Sequence, residues 1–160
     1  MTFANSIEIH ALYDLDDPRG YCLDIKGHKS KANITKGLQA HTCYSYQGEI
    51  AVDQSFDPLN LATYQFFLPA FNVCMEVESV SASAPIQLNK CNFGKRQKFT
   101  WTKTGKIHPL SDIGLCLTID QRNSSKGKGG SPVHLKRAVT LEPCNNSLKR
   151  YQTWGSRTID

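Results

Sequence analysis

No stretch of the sequence approaches the ~18 consecutive apolar residues of a membrane span, so insertion into a bilayer is not expected. No segment longer than two turns keeps apolar residues at i, i+3, i+4 and i+7, which argues against a helical architecture. The opening residues, Met1-Thr2-Phe3-Ala4-Asn5-Ser6-Ile7-Glu8, carry neither the basic start nor the apolar stretch of a secretory signal, and none is read in this chain. There is no Cys-x-x-Cys and no Cys/His cluster with zinc spacing, so no metal is expected. Gly-x-Ser-x-Gly, His-Glu-x-x-His and phosphate-loop motifs are also missing, so neither catalytic residues nor a cofactor are expected.

What is present suits one ordinary globular domain spanning residues 1–160. A chain of 160 residues buries roughly 70% of the surface its unfolded form exposes, and 39% hydrophobic with 21% charged residues is far from a disordered composition. The formal net charge is +5, but the basic residues are spread along the chain and concentrate only in residues 122–136. A nucleic-acid partner is therefore not expected. The Ser-Ser-Lys-Gly-Lys-Gly-Gly run inside that stretch reads as a flexible, solvated loop.

Three markers recur in one order three times. Cys22-Leu23-Asp24, Cys74-Met75-Glu76 and Cys116-Leu117-Thr118 open the copies. Strands ending in Cys43, Cys91 and Cys144 follow, and Gln54-Ser55-Phe56, Gln97-Lys98-Phe99 and Gln152-Thr153-Trp154 close them. An internal repeat follows, over approximately residues 7–60, 61–103 and 104–157. With two cysteines per repeat, Cys22–Cys43, Cys74–Cys91 and Cys116–Cys144 are the natural bridges among the fifteen pairings that six cysteines allow. Paired cysteines suggest a secreted or extracellular protein, while a cytoplasmic one with reduced, buried thiols stays open.

Residues 7–13 alternate as a strand, and Ile107-His108 marks the same strand in the third repeat. In the second repeat residues 62–68 take that place, broken by Pro69. About four short strands per repeat give about twelve in an all-β domain, in which each repeat contributes a share of one closed core.

These motifs resemble the ricin-type lectin family, whose β-trefoil repeats carry Cys-Leu-Asp at one end and Gln-x-Trp or Gln-x-Phe at the other. The resemblance covers residues 9–154. The closing aromatics, Phe56, Phe99 and Trp154, read as core, and each closing glutamine as a bridge to backbone between strands. By resemblance, sugar contacts fall to the acidic residue after the first cysteine, the residue two before the second, the polar residue before the closing glutamine, and that glutamine. The first repeat thus supplies Asp24, His41, Asp53 and Gln54, with Gln39 nearby, and Tyr44 and Tyr46 offer a further aromatic face. The second supplies Glu76, Asn89, Arg96 and Gln97, and the third Thr118, Glu142, Tyr151 and Gln152, neither with an aromatic at the stacking position.

The resemblance implies a carbohydrate-binding lectin that takes a terminal sugar of galactose or N-acetylgalactosamine type, through one site in the first repeat. Its partners would be glycans of glycoproteins or glycolipids; the assembly state stays open, a homo-oligomer included. The alternative is a trefoil for protein recognition or protease inhibition, acting through a loop such as residues 124–131. A third reading, glycoside cleavage by Asp24, Asp53 and His41, is disfavoured because a shallow trefoil site offers little burial to raise a carboxyl pKa. Binding of sulfated glycans by the basic surface is a fourth, and would show as salt dependence.

Overall fold

The computed structural model describes residues 6–158. Met1–Asn5, where the reading of the chain start falls, lies outside the described residues, as do residues 159 and 160. Among the described residues thirteen strands form in three groups, against about twelve expected. The first repeat contains β1 (Glu8–Ala11), β2 (Tyr21–Ile25) and β3 (Leu38–Thr42). The second contains β4 (Phe67–Leu68), β5 (Val73–Val77), β6 (Ile86–Asn89) and β7 (Phe99–Trp101). The third contains β8 (Ile107–Pro109), β9 (Leu115–Ile119), β10 (Ser125–Lys126), β11 (Leu135–Arg137), β12 (Val139–Pro143) and β13 (Trp154–Arg157).

The arrangement is a β-trefoil, with an equivalent antiparallel pair in each repeat: β2 with β3, β5 with β6, and β9 with β12. Repeats are joined where β1 pairs with β13 and β7 with β8; within repeats, β4 pairs with β5, and an Ile7–Phe56 bridge brings the end of the first repeat to its start. Alternation decides which side chains enter the core. Leu23, Met75 and Leu117, each one residue past the first cysteine, are fully buried. Phe56, Phe99 and Trp154 are buried with them, and Phe66 bridges two of the rings at centroid distances of 6.4 and 5.7 Å.

All three disulfides are formed within repeats, each tying the first strand of that repeat's β2–β3, β5–β6 or β9–β12 pair to a residue one or two positions beyond the second, with Cα separations of 5.0–5.1 Å. They fit an oxidising, extracellular setting. Among the described residues no helix is long and apolar enough to cross a membrane.

Two local expectations change. The strand read over residues 62–68 is only Phe67–Leu68, because Pro58 starts a 3-10 turn over Pro58–Thr63 whose first free amide, Leu59 N–H, is capped by the Asp57 carboxylate at 2.9 Å. The basic stretch of the third repeat is not a free loop: β10 and β11 form a hairpin, and β11 extends the edge of β3 in the first repeat, with Lys136 opposite His41. Arg19 donates to the carbonyls of Pro132 and Val133, and Leu135 N–H donates to Thr42 Oγ1 at 2.8 Å. These anchors offset the entropy of a Gly- and Ser-rich segment.

Gly37 shows how closely repeats abut. It has φ of +80°, and a Cβ there would lie 2.6 Å from the Ile86 carbonyl oxygen of the neighbouring repeat. Gly37→Ala is expected to lower the unfolding free energy by about 1–3 kcal/mol, read from urea denaturation midpoints at constant slope. An unchanged midpoint would contradict this contact.

Candidate functional site

Each closing glutamine does the same three things. Gln54 Nε2 donates to Asp24 Oδ2 (2.9 Å) and the Thr42 carbonyl (3.1 Å), and its Oε1 accepts from Tyr44 N–H (3.0 Å). Gln97 makes the equivalent bonds to Glu76 Oε1, Lys90 O and Asn92 N–H, and Gln152 to Thr118 Oγ1, Pro143 O and Asn145 N–H. The bridge to backbone read from the motif is therefore present in every repeat, and it also clamps the residue two after the first cysteine. All three glutamines are fully buried, so every polar group in this latch has a fold-holding role before any other.

In the first repeat the structure brings Asp24, Gln39, Asp53 and Gln54 together around the β2–β3 hairpin. Asp24 stands opposite Gln39, and its Oδ1 accepts from Gln39 Nε2 at 3.0 Å. Asp53 sits in a 3-10 turn, Val52–Gln54, and its Oδ2 accepts from Lys29 N–H at 2.8 Å, while Oδ1 is buried with no hydrogen-bond partner. Burial raises the pKa of both carboxyl groups; the charge of Asp53 raises Asp24 further, and the Lys29 amide opposes the rise at Asp53. The shallow site expected from the sequence is in fact deep: Asp24 and Asp53 are both 0% exposed.

His41 stands opposite Cys22 on the same face of the hairpin as Gln39, and its Nδ1–H donates to the Thr42 carbonyl at 2.8 Å. Burial is the main cause that pushes its pKa down to about 4. Tyr44 closes the cluster. Its ring stacks on His41 at 5.3 Å, it is buried, and its phenol pKa is raised by burial and by the nearby carboxylates of Asp24 and Asp53. Tyr46 lies at the rim, 43% exposed, with its hydroxyl 2.6 Å from His134 Nε2. His134 in turn packs edge-on against His41 at 5.3 Å and against Tyr44 at 5.2 Å.

Sequence reasoning missed His134, Lys29 and Arg19. Lys29 places its Nζ 5.3 Å over the Tyr44 ring, and Arg19 its guanidinium 5.3 Å from the Tyr46 ring. Nothing local signals His134, which reaches the first repeat only because the hairpin of the third is docked there.

The second repeat keeps the carboxylate between two glutamines, with Glu76 accepting from Gln87 and Gln97, but Arg96 turns away to the carbonyl of Glu78. In the third repeat the equivalent ground is open. A cavity of about 480 Å³ is lined by Ser83, Thr118, Asp120, Arg122, Thr140 and Glu142 among others. Thr118, Thr140 and Glu142 occupy the hairpin positions of Asp24, Gln39 and His41. Glu142 is held by the hydroxyls of Thr140 (2.6 Å) and Ser83 (3.2 Å), and Asp120 pairs with Arg122.

Two groups of potential metal ligands occur among the described residues, His108 with Cys116 and Cys144, and Glu8 with Cys22 and Cys43. Their sulfurs are joined in disulfides, which leaves no thiolate to coordinate.

The fold has clear counterparts. The chain is similar to ThreeFoil, a designed three-fold symmetric protein, with a TM-score of 0.70 and 14% identity over 97% of this chain and 98% of that one. It is similar to the C-terminal domain of earthworm lectin, a mutant in complex with 6'-sialyllactose, with a TM-score of 0.61 and 16% identity over 95% and 97%. A non-toxic homologue of type II RIPs from Momordica charantia (bitter gourd), in complex with α-methyl-D-galactoside, matches with a TM-score of 0.66 and 15% identity over 96% of this chain and 48% of that one. No curated protein matches the sequence. At such identities structural likeness establishes the fold alone, but the sequence itself matches the family model for the ricin-type beta-trefoil lectin domain over residues 12–154. With that match and the latch repeated three times, this chain belongs to the ricin-type β-trefoil lectin family.

Proposed function

We propose that the protein is a non-catalytic lectin that takes a terminal galactose-type sugar, of a glycoprotein or glycolipid, at the first-repeat cluster of Asp24, Gln39, His41, Asp53 and Gln54. The observation that carries this reading is Asp53 Oδ1, a fully buried acceptor without a donor, beside an Asp24 whose two oxygens are already oriented by Gln39 and Gln54. A buried polar atom without a partner is rare and unfavourable, and a sugar hydroxyl is a donor of the right kind. Access requires the Tyr44 ring to swing from its stack on His41, after which Tyr44 and Tyr46 offer flat faces to the C–H side of the sugar. The bitter gourd homologue, whose structure holds a galactoside, supports the choice of sugar class.

A second reading is favoured by the open cavity of the third repeat, whose hydroxyls and Glu142 form a polar floor suited to a polyol. The two readings separate in one experiment. A glycan array selects the sugar, and calorimetric titration then compares wild type with Asp53→Asn and Glu142→Gln. Asparagine keeps the acceptor for Lys29 N–H and turns the unpartnered oxygen into a donor, so the hairpin latch is untouched. Asp53→Asn is expected to weaken binding by about 10- to 100-fold and Glu142→Gln to change little. The reverse pattern would move the site to the third repeat, and no binding to any glycan would end the lectin reading for both sites.

A further inference from the structure

The mouth of the first-repeat cluster carries two lysines that enter none of the ion pairs among the described residues. Among the described residues the four ion pairs all use arginines: Arg19 with Asp17, Arg122 with Asp120, Arg137 with Asp16 and Arg157 with Glu8. Asp17 is engaged by Arg19 and Asp16 by Arg137. The lysines are not. Lys29 holds its ammonium over Tyr44, and Lys136, exposed on β11, stands directly across from His41.

Lys29 is placed there at a cost. Its φ is +48°, a left-handed conformation that a residue with a Cβ seldom adopts, and its amide is anchored on Asp53. The same carboxylate that offers the unpartnered acceptor thus positions a cation over the ring that closes the cluster.

We propose that the sugar bound by the first repeat carries an anionic substituent, a sulfate ester on one of its ring hydroxyls, with Lys29 and Lys136 as the groups that receive it. This rests on the first-repeat reading of the preceding section and narrows its ligand class. The uncharged hydroxyls of the sugar meet Asp53 and Asp24 in the interior, and the ester stays at the rim where the lysines remain solvated. The Lys29 backbone is held by Asp53 whichever way the Tyr44 ring turns, so its ammonium stays at the rim, and a charged ligand group that keeps its own partial hydration gains from it without full desolvation.

The test is titration of wild type with methyl galactoside, with its 3-sulfate and 6-sulfate esters, and with inorganic sulfate alone, at low and at physiological ionic strength. One ester is expected to bind about tenfold more tightly than the neutral sugar, with an advantage that shrinks as salt is added. In the double variant Lys29→Gln/Lys136→Gln the ratio of ester to neutral affinity should fall to about one. Equal affinities for ester and neutral sugar in wild type, or a ratio that survives the double variant, overturns the proposal. So does inorganic sulfate that binds as tightly as the ester, since the sugar would then add nothing. If the neutral sugar binds in an Asp53-dependent way without a preference for the ester, only this inference fails. If no galactoside binds, or Asp53→Asn binds all of them as wild type does, the first-repeat reading fails and takes the inference with it.

Discussion

Loss of all three disulfides will unfold the domain under conditions where the oxidised protein is stable. The bridges close loops of 21, 17 and 28 residues, and the chain-entropy relation assigns about 3 kcal/mol to each, about 10 kcal/mol together. A domain of this size has a total stability of about 5–15 kcal/mol, so the sum is comparable to the whole. The location strengthens the effect: each bridge pins the open end of the hairpin that carries one third of the trefoil cap. Cys22, Cys43, Cys74 and Cys116 are fully buried, so a reductant reaches them slowly in the native state and paired Cys→Ala variants are the cleaner measurement. Replacing Cys22 and Cys43 should lower the unfolding free energy by about 3 kcal/mol, and replacing all six cysteines should abolish the cooperative transition in near-ultraviolet circular dichroism. A six-fold variant that still unfolds cooperatively within about 1 kcal/mol of wild type would show that the core alone suffices.

Acidification will destabilise the protein through His41. The ring is buried, and its pKa falls from 6.5 to about 4 on folding, so between these values the unfolded chain binds a proton that the native state refuses. Stability attributable to His41 is complete above pH 6.5, is lost as pH falls toward 4, and amounts to about 3 kcal/mol over that window. Asp24 and Asp53 act in the opposite sense, because their raised pKa values let the native state take up protons before the unfolded one does. The difference between wild type and His41→Phe isolates the imidazole, since phenylalanine keeps a ring against Tyr44 and does not titrate. Denaturation curves at pH values across the window should show wild type losing about 3 kcal/mol more than the variant. Parallel losses in the two proteins would refute the assignment.

The parts of the molecule that were legible in the sequence share one property. Gln54, Gln97 and Gln152 make equivalent contacts to residues within their own repeats, as do the paired cysteines, and the aromatic two positions beyond each glutamine is buried in every repeat. A fold-holding contact repeated three times leaves three copies of its pattern, and that is why the trefoil, the bridges and the buried rings could all be expected. The strand assigned to residues 62–68 failed for a local reason, since Asp57-Pro58 is a strong turn start that outweighs the alternation following it.

The residues of the candidate site were named by their place in the motif, but the depth at which they lie was not. Asp24 and Asp53 were named through the family resemblance, from Cys22-Leu23-Asp24 and Asp53-Gln54, and the bridged hairpin sets Asp24 beside Gln39. Tyr44 and His134 close over them, and those contacts depend on a hairpin from the third repeat whose anchors on Arg19 and Thr42 span 93–114 residues of chain. By itself, then, the sequence determined the architecture and the disulfide pairs, which follow from periodic, short-range pairing, while the first-repeat residues it named came through the family resemblance. Only the tertiary structure decided that this cluster is covered, that the open cavity lies in the third repeat, and that Lys29 and Lys136 stand beside it. Those features arise where two repeats meet, and a Ser-, Gly- and Lys-rich segment carries no local trace of the surface on which it will dock.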